Sequence, residues 1–295
     1  NAFYERLISL SVTDKEGVSS DTFSAELNDG PPNYLALPRT GAIVDIRLGY
    51  RETGLASVGQ FTVDQLHVAC LPYSLSISGG AADIRRNGLK ERKERHWDNK
   101  TIKDIVSEAA GEAGLQPVVD DEIGAYQYEW FAQLEESNMA FLDRLAERHD
   151  ALFTIKQGRL VFAKKGSGSA ATGRAMGSVI VTPQMVIQGS CSFEASDGTR
   201  FKKVIAHYQD KDKAERVDVE ADADADGEGT FRITEPFADK DEADKAAKAK
   251  ANELGRGRGS ASVTIPGNTS VVAGAPLLFA DVRPGLDGAP YIIDT

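Results

Sequence analysis

The sequence predicts an α+β chain, mostly β, with strand-rich segments on either side of an α+β segment. Three observations carry this. Residues 5–80 alternate apolar and polar side chains, with turn residues at short intervals. Residues 101–149 hold two apolar stripes at helical spacing. Alternation then returns after a stretch of Gly, Ser and Ala that begins at Gly166.

In chain order, Ile8, Leu10 and Val12 share one strand face, as do Phe23, Ala25 and Leu27. Val44, Ile46, Leu48 and Tyr50 form the next face, then Phe61 with Val63, then Leu75 with Ile77. Asn28-Asp-Gly-Pro-Pro32, Thr53-Gly54 and Leu71-Pro72 supply the turns. Short alternating strands at this spacing predict an antiparallel barrel or sandwich. A basic stretch follows, from Arg85 to Lys100 around Trp97. Thr101 and Asp104 have capping-box spacing, and Ile102, Ile105, Val106, Ala109 and Ala113 form a helical stripe that Gly114 ends. A strand is expected over Gln127–Gln133. A second helix starts near Ser137, with Met139, Leu142, Leu145, Ala146 and His149 on one face. A hairpin around Gln157-Gly158 joins Leu152–Ile155 to Leu160–Phe162.

Gly166-Ser-Gly-Ser-Ala-Ala-Thr-Gly173 reads as a linker. Beyond it, strands are expected at Val179–Val181, Val186–Phe193, Phe201–Tyr208 and Arg216–Glu220. An Ala-, Lys- and Asp-rich helix runs from about Asp239 to Leu254 and stops at Gly255. Strands at Ser260–Ile265, Leu277–Val282 and Tyr291–Asp294 complete the reading. The expected units are 1–84, 85–165, a linker over 166–177, and 178–295 with one helix. Asn1 is not a Met, and Tyr291–Thr295 reads as a strand stopped in mid-sheet, so the expectation is a natural protein longer at both ends.

A faint internal repeat links the outer units. Gly41-Ala42-Ile43-Val44-Asp45-Ile46 aligns with Gly274-Ala275-Pro276-Leu277-Leu278-Phe279. Gly54-Leu55 aligns with Gly285-Leu286, and Phe61–Asp64 with Tyr291–Asp294. Chance likeness between two generic hairpins is the competing reading. If the repeat is real, one chain carries two like β units. Such duplication lets a ring of low symmetry match a partner of higher symmetry.

Composition bounds the function. The chain has 295 residues, more than one minimal domain needs. Lys and Arg number 34 against 45 Asp and Glu, a net charge of −11. An acidic chain repels phosphate, so no stable nucleic-acid binding is expected. No run approaches the ~18 apolar residues of a membrane helix, so no membrane anchor is expected. Cys70 and Cys191 cannot make a disulfide scaffold or a closed thiolate site.

The search for chemistry yields no catalytic residue, metal site or cofactor. His67, His96, His149 and His207 stand in no metal-ligand spacing. His149 reads as a packed or capping histidine. Gly255-Arg-Gly-Arg-Gly259 follows a helix instead of opening one, unlike a dinucleotide loop. Asp222-Ala-Asp224-Ala-Asp226-Gly227 opens like a calcium loop, but its twelfth position is Ile233, not Glu. An acidic solvated loop is the preferred reading. Glu135 and Glu136 are adjacent, so they point apart and make a poor acid/base pair. The basic stretch around Trp97 reads as a solvated face or an interface with an acidic surface.

Ala82-Asp-Ile-Arg85, Lys93-Glu-Arg-His-Trp97 and Thr101-Ile-Lys-Asp-Ile-Val106 resemble the late-control D family of contractile-tailed phages. Gln133-Leu-Glu-Glu-Ser137-Asn138-Met-Ala-Phe141-Leu142 resembles it too, with Asn138 where the family usually has Asp; both can cap a helix. The resemblance runs on through the Ala-rich helix to the Gly285–Asp294 strand pair. It implies a baseplate hub, similar to the base of the type VI secretion spike. Two barrel-like domains per chain would give a homotrimer pseudo-sixfold symmetry, joining a hexameric tail tube to a trimeric tail spike. The implied location is the virion tail baseplate, after synthesis in the host bacterial cytoplasm. DNA would pass through the ring, where a negative lumen would keep it from sticking. The expected role is structural and not enzymatic. The alternatives are a tail-borne cell-wall hydrolase and a nucleic-acid-binding regulator. Trp97, Gln133, Glu136, Ser137, Phe141 and Leu142 are the candidate structural or interface residues. Core packing and helix capping compete with subunit contact as their role.

Overall fold

The computed structural model describes residues 3–17, 21–82, 87–156, 158–166, 177–195, 200–210 and 213–295. Most of the expected linker at 166–177 and most of the Ala82–Arg85 motif lie outside these residues.

The first unit is one sheet. Its strands are β1 (Leu7–Thr13), β2 (Thr22–Asn28), β3 (Ile43–Tyr50), β4 (Gly54–Cys70) and β5 (Tyr73–Ala81). They pair antiparallel in the order β1-β2-β5-β4-β3. The first part of β4, from Gly54 to Thr62, pairs with β3, and Phe61 to Cys70 pairs with β5. Each ladder contains a bulge, between Ile46 and Arg47 and between Val63 and Gln65. Bulges increase twist, so the sheet curls about its apolar face. That face buries Phe23, Leu27, Ile46, Phe61, Val63, Leu75 and Ile77. Gly79 lies against the Phe23 ring, which packs on Phe61; a Cβ there would come within 1.8 Å of the Thr62 carbonyl oxygen. The opposite face carries hydroxyl rows, such as Ser11, Ser24 and Ser78 on three adjacent strands.

The middle unit holds α1 (Asn87–Lys90), β6 (Arg92–Thr101), α2 (Ile102–Glu112), β7 (Gln116–Val119) and α3 (Asp121–Gly124). It continues with β8 (Gln127–Ser137), α4 (Asn138–Arg148), β9 (Ala151–Lys156) and β10 (Arg159–Lys164). The capping box forms as expected: Asp104 N–H donates to Thr101 Oγ1, and Thr101 N–H to the Asp104 carboxylate. The whole predicted stripe of α2 is buried. Gly114 takes a φ of +64°, which glycine reaches without strain, and the helix stops there. β8 runs four residues past the expected Gln133, to Ser137. β6 and β8 form an antiparallel ribbon, while β7, parallel to β10, lengthens the β9–β10 hairpin into a sheet. β7 was not anticipated, because Gln116-Pro-Val-Val119 is too short to show a period.

The last unit holds β11 (Val179–Val181), β12 (Ser192–Ala195), β13 (Lys203–Asp210), β14 (Glu215–Asp222) and β15 (Thr230–Phe237). Then come α5 (Lys240–Arg256), β16 (Gly259–Ser262), β17 (Pro276–Phe279) and β18 (Pro290–Ile292). Three corrections arise here. The expected strand over Val186–Phe193 is mostly turn, and only Ser192–Ala195 is extended. β15 was missed, although its alternation is present at Phe231 and Ile233. The helix runs through Gly255 to Arg256, and Gly257 caps it. α5 buries its alanine face, including Ala243, Ala246, Ala247 and Ala251, on the β14-β13-β15 sheet. No helix among the described residues is long and apolar enough to cross a membrane.

The repeat reappears as hydrogen-bond geometry. β3 pairs Ile43 with Thr62 and Val44 with Phe61; β17 pairs Pro276 with Ile292 and Leu277 with Tyr291. The aligned residues thus share one register. Gly41 N–H donates to Val63 O at 2.8 Å, and Gly274 N–H to Ile293 O at 2.7 Å. The paired turn glycines also agree: φ is +86° at Gly41 and +82° at Gly274. Two generic hairpins need not share loop, register and glycine conformation together.

Candidate functional site

The six candidate residues converge where the β6–β8 ribbon meets α2 and α4. Alternation on β6 turns Lys93, Arg95 and Trp97 inward. Helical spacing puts Glu108 and Glu112 one turn apart on α2, facing them. Trp97 Nε1–H donates to Glu108 Oε2 at 2.8 Å, and its ring stacks on Phe141 with centroids 5.0 Å apart. Arg95 lies over the same indole, 4.6 Å from its centroid. Its guanidinium donates to Glu112 at 2.6 Å, Glu108 at 3.0 Å, Gln133 Oε1 at 2.9 Å and Asn138 Oδ1 at 3.1 Å.

Gln133 and Asn138 are fully buried, and each uses its amide in both directions. Gln133 Nε2–H donates to the Glu136 carbonyl and to Asn138 Oδ1. Asn138 Nδ2–H donates to Gly88 O at 2.7 Å and Glu112 Oε2 at 2.9 Å. Asn138 is therefore not the helix cap; Ser137 is, its Oγ accepting from Ala140 N–H at 3.2 Å. Burial alone would raise the Glu112 carboxyl, but hydrogen bonds from Lys93, Arg95 and Asn138 outweigh it and bring it down to about 2. Glu136 forms a two-point ion pair with Arg144, whose guanidinium also donates to Ala132 O. Phe141 and Leu142 are fully buried beneath the network.

Of the six, Trp97, Gln133, Phe141 and Leu142 are buried together, while Glu136 and Ser137 lie half-buried at the edge of the same network. Arg95, Glu108, Glu112 and Asn138 belong to it too, and sequence reasoning did not single them out. The signal was present: inward alternation at Lys93, Arg95 and Trp97, matched by two glutamates four residues apart.

The other candidates have separate places. Tyr128 hydroxyl meets His149 Nε2 at 2.6 Å at the end of α4, and burial lowers this histidine to about 4. Glu135 is exposed at φ +51°, while Glu136 is held by Arg144, so the two do not face a shared space. Asp224 is committed to arginines: Arg200 Nε–H donates at 2.8 Å, and Arg258 lies at 3.2 Å. Its other oxygen accepts from Asp226 N–H. Among the described residues, no group of three or more His, Cys, Asp or Glu could hold a metal ion. In the Gly-Arg stretch, Arg256 pairs with Asp150, tying α5 to the middle unit.

The architecture is that of phage tail proteins. The 43 kDa tail protein of prophage MuSo2 from Shewanella oneidensis has a TM-score of 0.68 at 15% identity, covering 98% of this chain and 92% of that one. An E. coli type VI secretion component, described as similar to T4 tail proteins gp27 and gp5, has a TM-score of 0.54 at 10% identity, covering 97% and 71%. The phage tail baseplate hub (GPD) family model matches residues 19–293, and the chain belongs to that family. The probable baseplate hub protein of Escherichia phage 186 is 34% identical over 204 residues, 69% of this chain and 49% of that protein. The chain spans about half the length of the curated relatives it matches. The family read from the motifs is the family found.

Proposed function

We propose that this chain is a structural hub subunit that joins the tail tube to the central spike and performs no catalysis. The carrying observation is the shared register of the β3–β4 and β17–β18 hairpins. It supports two like, barrel-like β units per chain, in the outer parts of the sequence. Three chains then present six similar units, matching a hexameric tube on one side and a trimeric spike on the other. The buried network supports the same reading: its ionic groups hold one another and the fold, leaving none poised for acid/base work. Homotrimer, tube and spike are the proposed partners, and host-cell synthesis precedes assembly into the baseplate.

Light scattering across a concentration range, alone and with a purified contractile-tail spike protein, tests the proposal. A mass of three chains, or of three chains per spike, is expected. A chain that stays monomeric with the spike present overturns it.

A further inference from the structure

We propose that the Asp14–Glu16 stretch just after β1 is a clasp setting how the first β unit sits against the second, with Lys156 as its positioning residue. This inference rests on contacts and holds whatever the hub reading's fate.

Asp14, just past the end of β1, reaches two other units with one carboxylate. Oδ1 pairs with Lys156 Nζ at the end of β9 in the middle unit. Oδ2 accepts from Ala273 N–H of the last unit at 2.8 Å. Two residues on, Glu16 N–H donates to Asp294 O at 2.8 Å. Ala273 and Asp294 flank the base of the β17–β18 hairpin, whose own bonds begin at Gly274 and Ile293. This stretch therefore caps the open end of that hairpin. The Glu16 side chain is only 9% exposed and lies 3.8 Å from Lys165, just beyond β10.

Charge makes the lysine decisive. Asp21 also approaches Lys156, at 3.8 Å, and holds Lys15 N–H at 3.0 Å. Two carboxylates thus converge on one ammonium, all three side chains being less than a third exposed. Burial raises the Asp21 carboxyl, with Lys156 opposing. Without the lysine, Asp14 and Asp21 lose the cation between them, and like-charge repulsion loosens Asp14 and Glu16 from the hairpin. An ion pair bridging separate units, one of whose members also binds backbone, fixes an orientation as well as a contact.

Amide hydrogen exchange on the full chain tests this. In Lys156→Met, the Glu16 and Ala273 amides should exchange at least ten-fold faster, while Gly274 and Ile293 keep their rates. Lys156→Arg should restore protection. If Lys156→Met does not fold, Asp14→Asn, which keeps an oxygen for Ala273 but drops the charge, should show the same selective loosening. Unchanged protection at Glu16 and Ala273, or equal loosening of the whole hairpin, overturns the clasp.

Discussion

Single buried polar side chains carry much of this fold's specificity. Asn138 donates to Gly88 O and Glu112 while accepting from Arg95 and Gln133. Asn138→Ala removes these four bonds at a fully buried position and should cost about 2 kcal/mol, read by urea unfolding. Asn138→Asp loses both donors and sets a second carboxylate against Glu112, so it should cost more than Asn138→Ala at neutral pH and approach it in acid. His149 makes a second prediction. Its ordinary value of 6.5 falls to about 4 in the fold, so the unfolded chain takes up a proton first. The stability it supports is complete above pH 6.5 and is lost as pH falls toward 4, by about 3 kcal/mol in full. His149→Phe should remove that slope between pH 6.5 and 4, while the steeper loss below pH 4.5, where Glu112 titrates, remains. Ser137 and Thr101 were legible in the sequence because capping is local. The role of Asn138 was not legible there, because its partners lie up to 50 positions away.

At the scale of elements, period decided what could be read. β2, β5 and α2 emerged because each buries one face, and burial imprints a period of two or near 3.6 on the sequence; β1 and β3 alternate too, yet Ile8, Leu48 and Tyr50 of their predicted faces are exposed. β7 and β15 did not emerge. β7 is short, and β15 follows an acidic loop whose aspartates masked its start. The α5 boundary slipped because Gly255 is helical in a context where Arg256 pairs with Asp150. Gly79 shows the limit most clearly: its need for no side chain comes from Thr62 and Phe23 on the two flanking strands. Gly79→Ala should therefore destabilise the first sheet by more than the ~1 kcal/mol that backbone propensity alone would change, seen as a lower thermal midpoint. A fall of that size or less would show that β4 can shift to make room.

For the whole molecule, composition and order fixed a great deal. Length, acidity and two cysteines only bounded the function; it was the motif order around Trp97 and Gln133 that resembled the hub family to which the chain belongs. The sequence by itself determined the mostly β composition, most strand periods, the caps of α2 and α4 and the outline of the repeat, because all of these are recorded in neighbouring residues or in exact order. Only the tertiary structure decided that the repeat shares a register, that the scattered candidates gather around one network, and that Asp14 contacts all three units. Those facts depend on which surfaces touch at long range. A hydrogen bond between Asp14 and Ala273 leaves no trace in the residues beside either, because the energy that selects it comes from packing whole units and not from any local pattern.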